Sequence, residues 1–223
     1  MERDQRIALD EVLERALDRK RTNFLEDYGL KSKPALIWQA WPTAHVEVDL
    51  SEQKLQDAMR KGGGPTADEG WWNGFQFGWW PRLVFDGLTS ESEHGAIGWA
   101  TEIHVDGHIA AGVWTFPEAT ESPSPPQLGV AEFYTGAFRD FSYLATQILS
   151  TLGVSGTVHA TVTMHMADKL AWLAGRGRVT APAPKRKTLR WPIVESNVAD
   201  LAGAGSTMAA QFLRTYGRKP PAA

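Results

Sequence analysis

AIGWATEIHVDGHIAAGVWTF, residues 96–116, is a pair of alternating runs about Asp106-Gly107, and Asp-Gly between such runs marks a β-hairpin. With Asp106 and Gly107 as a two-residue loop, Val105 faces His108. Counting outward sets Ile103 against Ala110, Trp99 against Trp114 and Ile97 against Phe116. These side chains share one face, because successive strand residues point to opposite sides. A Trp pair directly across strands adds about 0.5–1 kcal/mol beyond burial, which assigns this face to the core. The other face carries Ala100, Glu102 and His104 opposite Val113, Ala111 and Ile109, and a two-residue turn sends His104 and His108 to opposite faces.

Working outward, residues 82–86 read as a short strand, and DGLTSESEH (86–94) as an acidic loop offering Asp86, Glu91, Glu93 and His94. Upstream, residues 36–41 and 45–50 read as extended segments about Pro42, which disfavours helix in the residue before it. Ser51 is the expected cap of a helix over 52–61, ended by Gly62, Gly63, Gly64 and Pro65. Residues 3–21 form an amphipathic helix with Leu9, Val12, Leu13, Ala16 and Leu17 on one stripe. Downstream, residues 117–127 make a Pro- and Ser-rich loop, followed by a β-α-β run: strand 128–134, helix 137–152 and strand 157–166. In that last strand Val158, Ala160, Val162, Met164 and Met166 point one way, and His159, Thr161, Thr163 and His165 the other. TLRWPIVE (188–195) reads as an edge strand because it contains Pro192, and a final helix starts near Ser206 and buries Ala209, Phe212, Leu213 and Tyr216. The pattern is α+β: a mostly antiparallel sheet with helices on one face and an N-terminal amphipathic helix. Its organisation is an arm over 1–28, one α+β domain over 29–217 and a disordered tail over 218–223.

Composition narrows the chemistry. The net charge of −3 gives no general attraction to nucleic acid, which demands concentrated Lys and Arg. The absence of cysteine removes disulfides, thiolate metal sites and cysteine nucleophiles. The N-terminus is charged throughout and no apolar run approaches the ~18 residues of a membrane span, so a cytoplasmic protein with no membrane contact is expected. No phosphate loop, nucleophile elbow or His-Glu-x-x-His motif is present, and no cofactor is expected.

Three groups of residues remain as candidate sites. Trp71, Trp72, Phe75, Phe77, Trp79 and Trp80 crowd into ten positions, and aromatic density of this kind suits either a core or a binding surface for a protein partner or small ligand. His104, His159 and Glu102 could meet across neighbouring strands to hold a metal or perform acid-base hydrolysis. Arg176, Arg178, Lys185, Arg186, Lys187 and Arg190 form a basic run without an acid, beside Trp191 as a stacking surface, as a nucleic-acid contact would require. The N-terminal helix is of a kind that can also form a homodimer.

WPRLVFDGL (80–88), EIHVDGHIAAG (102–112) and FRDFSYLATQILSTLGVSGTVHATVTM (138–164), in that order, resemble the C-terminal region of bacterial proteins whose N-terminal half is a Schlafen/AlbA-like DNA-binding domain. The resemblance spans roughly 35–217, and that N-terminal domain is absent here. It implies a transcriptional-regulator-like module that senses or binds a partner, in a regulatory or defence setting, with no catalytic residues to carry over.

Overall fold

The computed structural model describes residues 2–61, 82–84, 86–94, 97–115, 130–169, 172–174, 178–181 and 184–217. The Trp-rich segment, the Pro- and Ser-rich loop, Arg176 and the C-terminal tail lie outside the described residues. Ten strands and four α-helices are described. Helix α1 spans Glu2–Asp27, β1 Ala35–Pro42, α2 Gln53–Lys61, β2 Arg82–Val84, β3 Gly87–His94, β4 Ile97–His104 and β5 Ile109–Thr115. There follow α3 (Val130–Thr151), β6 (Thr157–His165), β7 (Trp172–Ala174), β8 (Arg178–Ala181), β9 (Thr188–Arg190), β10 (Val194–Asn197) and α4 (Leu201–Thr215). Eight strands form one antiparallel sheet in the order β10-β6-β1-β5-β4-β3-β2, with β9 also on β6, and β7 and β8 form a separate hairpin. Among the described residues no helix is long and apolar enough to cross a membrane.

The α+β expectation holds, and the hairpin stands where it was expected, but one residue out of register. Glu102 pairs with Ala110 and Ile103 with Ile109, so Trp99 meets Val113 and Trp114 meets Gly98. The cause is the turn: the Gly107 N–H donates to the His104 carbonyl and the His104 N–H to the His108 carbonyl, enclosing Val105, Asp106 and Gly107 in a three-residue loop. Gly107 sits at φ +76°, the left-handed position that this loop type requires of its last residue. A slip of one residue exchanges faces for everything on one strand relative to the other. Trp99 and Trp114 therefore lie on opposite faces, and His104 and His108 come to the same one.

The main core lies on the face carrying Leu36, Trp38, Ile103, Ile109, Val113, Val158 and Val162. Helices α3 and α4 cover it with Phe138, Phe141, Ile148, Met208 and Phe212, and α2 adds Leu55 and Met59. Trp38 sits between Phe138, edge-on at 5.1 Å, and Phe141 at 6.3 Å. On β6 the alternation reads as expected, with Val158, Ala160, Val162 and Met164 buried in this core.

Several local expectations shift. The acidic loop is strand β3, paired along its length with β4. Residues 130–134 open α3 instead of forming a strand, because Val130, Phe133 and Tyr134 continue the helical spacing of Ala137, Phe138 and Phe141 backward through Gly136. Residues 45–50 form no strand and make a Val48-to-Val105 backbone bond to the hairpin loop. At 51 it is Asp49 that acts, accepting from the Ser51 N–H and hydroxyl. The last helix begins at Leu201 after a short turn capped by the Asn197 side chain, and Ser206 lies inside it. TLRWPIVE divides about Trp191 and Pro192 into β9 and the start of β10, both on β6.

Candidate functional site

Helix α1, about 39 Å long at 1.5 Å per residue, lies on the opposite face of the sheet. Among its described side chains, from Glu11 on, the buried positions are Leu17, Lys20, Arg21, Phe24 and Leu25, and Val12 of the expected stripe is 63% exposed. Phe24 and Leu25 pack with Leu30, Ala35, Ile37, Ala100, Ala110 and Trp114 in a small second core. Its floor is made of small residues, which lets the helix approach closely: a Cβ at Gly112 would stand 2.6 Å from the Phe24 ring.

Beside this small core lies a buried polar network that joins α1 to four parts of the sheet. His104 stands between two carboxylates, with Nδ1 2.8 Å from Asp86 Oδ1 and Nε2 3.0 Å from Glu102 Oε2. Tyr28 donates its hydroxyl to the other Glu102 oxygen at 2.9 Å and also contacts the Thr89 hydroxyl. Lys20 Nζ bridges Asp86 at 3.1 Å and Asp106 at 3.2 Å. Gly87, next to Asp86, is required by the packing, since a Cβ there would come 2.5 Å from the Ile103 carbonyl oxygen and 3.2 Å from His104 Nδ1.

The protonation states follow from the partners. A carboxylate only accepts, so both His104 nitrogens donate and the ring is an imidazolium. Burial opposes that charge, but the Glu102 hydrogen bond, its charge and the Asp86 hydrogen bond prevail over burial and the Lys20 charge, and the His104 pKa is raised. Burial likewise pushes the Asp86 carboxyl upward, and the bonds and charges of His104 and Lys20 outweigh it, holding it below the usual range. Tyr28 is pushed upward by burial and by the Glu102 charge, so its hydroxyl remains a donor.

His108 differs from its neighbour. Its ring centroid is 5.2 Å from that of His104 and 5.4 Å from that of Trp41. Gln39 Nε2 donates to the Leu17 carbonyl at 3.0 Å, which fixes the amide orientation and makes that same nitrogen the donor to His108 Nε2 at 3.1 Å. The His108 proton therefore resides on Nδ1, a buried atom without a hydrogen-bond partner among the described residues. Burial, then the charges of His104 and Lys20, lower its pKa well below the ordinary value, so the ring is neutral.

The histidine triad expected from the sequence does not assemble. His104 and His159 share a face, but His108, just before β5, and Trp41 on β1 stand between them, and Trp41 pairs with His159. Three strand spacings separate the two rings, about 14 Å, where zinc needs ligands within ~2.1 Å of the ion. Glu102 and His104 do meet, with both histidine nitrogens already bonded to carboxylates. Among the described residues no group of three His, Asp or Glu side chains is placed to hold a metal.

The basic run disperses. Arg190 pairs with Asp18 of α1 at 2.7 Å, and Asp18 also holds Arg21 at 2.8 Å. Trp191, expected as a stacking surface, is buried in the main core 6.0 Å from Phe212. Lys185, Arg186 and Lys187 are exposed between β8 and β9, Arg178 opens β8 and Arg176 lies outside the described residues. Of the acidic segment, Asp86 enters the polar network and Glu91 pairs with Arg82. Trp71, Trp72, Phe75, Phe77, Trp79 and Trp80 all lie outside the described residues, in the stretch leading into β2.

The sequence reading missed Lys20, Tyr28, Gln39 and His108. Lys20 and Tyr28 carried a usable signal, since both fall on the helical stripe continued from Leu13 and Leu17 through Phe24. Compared with models of protein families, with curated proteins and with solved structures, the chain matches none.

Proposed function

We propose that the chain is a non-catalytic interaction domain of a bacterial regulatory or defence system, engaged by a protein partner where the Trp-rich segment 71–80 leads into β2. The observation that carries this reading is the state of β2, the end of the eight-stranded order among the described residues. Leu83 on that strand is 76% exposed, although its register partner Leu88 is buried in the main core. An edge strand offers unpaired backbone donors and acceptors to an added strand, and exposed apolar side chains beside it add contact area. The chemistry of the polar network agrees with this reading. A general acid-base histidine must present a nitrogen to substrate, whereas both His104 nitrogens are bonded to carboxylates, and His108 Nε2 is taken by Gln39. The resemblance of 80–88, 102–112 and 138–164 to the C-terminal region of regulator-like proteins supports the same class of function.

The test is affinity purification of the tagged chain from its native cells, with cross-linking to map contacts, alongside Leu83→Lys and the Trp72→Ala/Trp80→Ala double variant. A protein retained by the parent chain, cross-linked near 71–84 and lost from variants with unchanged circular dichroism is the expected result. Retention equal in all three, or cross-links confined to other surfaces, refutes the assignment.

A further inference from the structure

We propose that the turn before β9, together with the short turn Ala167–Lys169 that follows β6, is a contact for the phosphate backbone of nucleic acid, made by Lys169, Lys185, Arg186 and Lys187 without reading base sequence. It lies beside β6, at the opposite end of the strand order from β2, and does not depend on the partner engaged there.

The fold brings these four cations together from two stretches of chain. Strand β9 runs on β6 with Thr188 opposite His165 and Leu189 opposite Met164. Beyond His165, Met166 takes a left-handed conformation at φ +48° and turns the chain into Ala167–Lys169. The Ala167 N–H donates to the Lys187 carbonyl at 2.8 Å and the Lys169 N–H to the Met166 carbonyl at 2.9 Å. The backbones that carry Lys169 and Lys187 are thus bonded into one ledge, on which Lys169, Lys185, Arg186 and Lys187 are all exposed. Asp168, the acid beside Lys169, has Oδ1 buried.

Lack of counter-charge sets this ledge apart. Arg15, Lys31, Lys54, Arg82 and Arg190 are exposed or partly exposed too, and each meets a carboxylate. None of the four ledge cations has a carboxylate or hydrogen-bond partner among the described residues. Like charges gathered in this way repel one another, and a bound anion relieves the repulsion. The chain's net charge of −3 does not forbid this. The Debye length is about 8–10 Å at 0.1–0.15 M salt, so a phosphate at the ledge responds to the cations nearest to it.

The form of the surface selects the polymer. An acidic peptide added as a strand needs a free run of backbone donors, and β9 is three residues long and stops at Trp191-Pro192. An anionic membrane is held by apolar side chains beside the charges. The large apolar residues exposed among the described ones are Val12, Leu83, Val105 and Tyr143, and none belongs to the ledge. Base stacking needs an exposed ring, whereas Trp191 is buried. Charge alone remains, and phosphates answer to it without regard to sequence.

Fluorescence anisotropy with a labelled mixed-sequence DNA duplex, from about 50 mM to about 200 mM salt, tests this. Four phosphate contacts predict a log–log salt slope of about −3.6, a loss of affinity of roughly 100-fold over that range. Lys169→Gln should reduce the slope by about 0.9, and the triple variant Lys185→Gln/Arg186→Gln/Lys187→Gln by about 2.7. Arg214→Gln, at an exposed cation of α4, and the charge-keeping pair Lys185→Arg/Lys187→Arg should leave it unchanged. A second duplex of unrelated sequence should bind equally well. No binding at about 50 mM salt, or a slope that the triple variant does not change, overturns the proposal. Poly-glutamate or anionic lipid vesicles bound as tightly as the duplex overturn the assignment to nucleic acid. The substituted side chains are exposed, so circular dichroism should be unchanged. Should the triple variant fail to fold, the slopes of the parent chain and of Lys169→Gln still decide.

Discussion

Replacing Gly112 with Ala tests how α1 sits on the sheet, because the sign of its effect depends on one ring across the interface. Gly112 has no positive φ, so alanine fits its backbone and by itself stabilises by about 0.4–1 kcal/mol through the unfolded chain. In the folded protein, however, the new Cβ would stand 2.6 Å and 2.8 Å from two Phe24 ring carbons. Phe24 is fully buried, touching Tyr28 at a ring separation of 4.6 Å, and cannot swing into solvent. Overpacking of this kind costs about 1–3 kcal/mol, so the net effect of Gly112→Ala is destabilisation by about 1–2 kcal/mol. Phe24→Ala alone loses about 3–4 kcal/mol as a buried aromatic truncation. In that background the methyl group has room, and Gly112→Ala becomes stabilising by about 0.4–1 kcal/mol, a coupling of about 2 kcal/mol between the two sites. Urea unfolding of the four chains followed by circular dichroism measures the cycle. Additive effects, with Gly112→Ala equally harmful with and without the Phe24 ring, would refute the close approach of α1 to β5.

Gly205→Ala should behave in the same way at the other layer, since a Cβ there would lie 2.1 Å from the Ser142 hydroxyl of α3. A loss of about 1–3 kcal/mol is expected despite the better helix propensity of alanine, and Ser142→Gly should restore most of it in thermal unfolding. Lys20→Met should cost about 1–2 kcal/mol instead of the 3–5 typical of a fully buried pair. Its partners Asp86 and Asp106 are 40% and 35% exposed and can be rehydrated. Acid titration should then show Asp86 protonating at a higher pH than in the parent chain, because one of the two cations holding it down is gone.

The legible part of the fold was the part where one rule acts alone. Alternation on β6 and helical spacing on α3 each placed side chains on the correct face, because every second or every third to fourth residue meets the same apolar layer. The hairpin was located by Asp106-Gly107 but misregistered, and the two possible loops differ by only one enclosed residue. Period-2 patterning could not arbitrate. The expected register put Trp99 with Trp114 on the core face, whereas the observed one buries Trp114 beneath α1, and both faces of this sheet are covered. The polar network was illegible for a related reason: its members come from α1 and the residue that follows it, β1, β3, β4 and the β2–β3 and β4–β5 turns, and none stands at a motif spacing from another. Glu102 and His104 were singled out as residue types, but their roles depend on Asp86 and Tyr28, which reach them only across the fold.

The two faces of the sheet are held in different ways, and this decides what each can do. The main core meets its helices through side chains such as Trp38, Phe138 and Phe212, and apolar burial is non-directional and tolerant of small shifts. Helix α1 meets the other face through a few apolar residues and a hydrogen-bonded charge network, and such a network contributes little net stability, because removing charges from water costs nearly what their pairing returns. What it does supply is register. Moving α1 by one turn would carry Lys20 away from Asp86 and Asp106 and Tyr28 away from Glu102 together, leaving buried ionised groups without partners at a cost of several kcal/mol. The helix is therefore set in register by this network but not deeply anchored, unlike α3 and α4, which are held by hydrocarbon and rings.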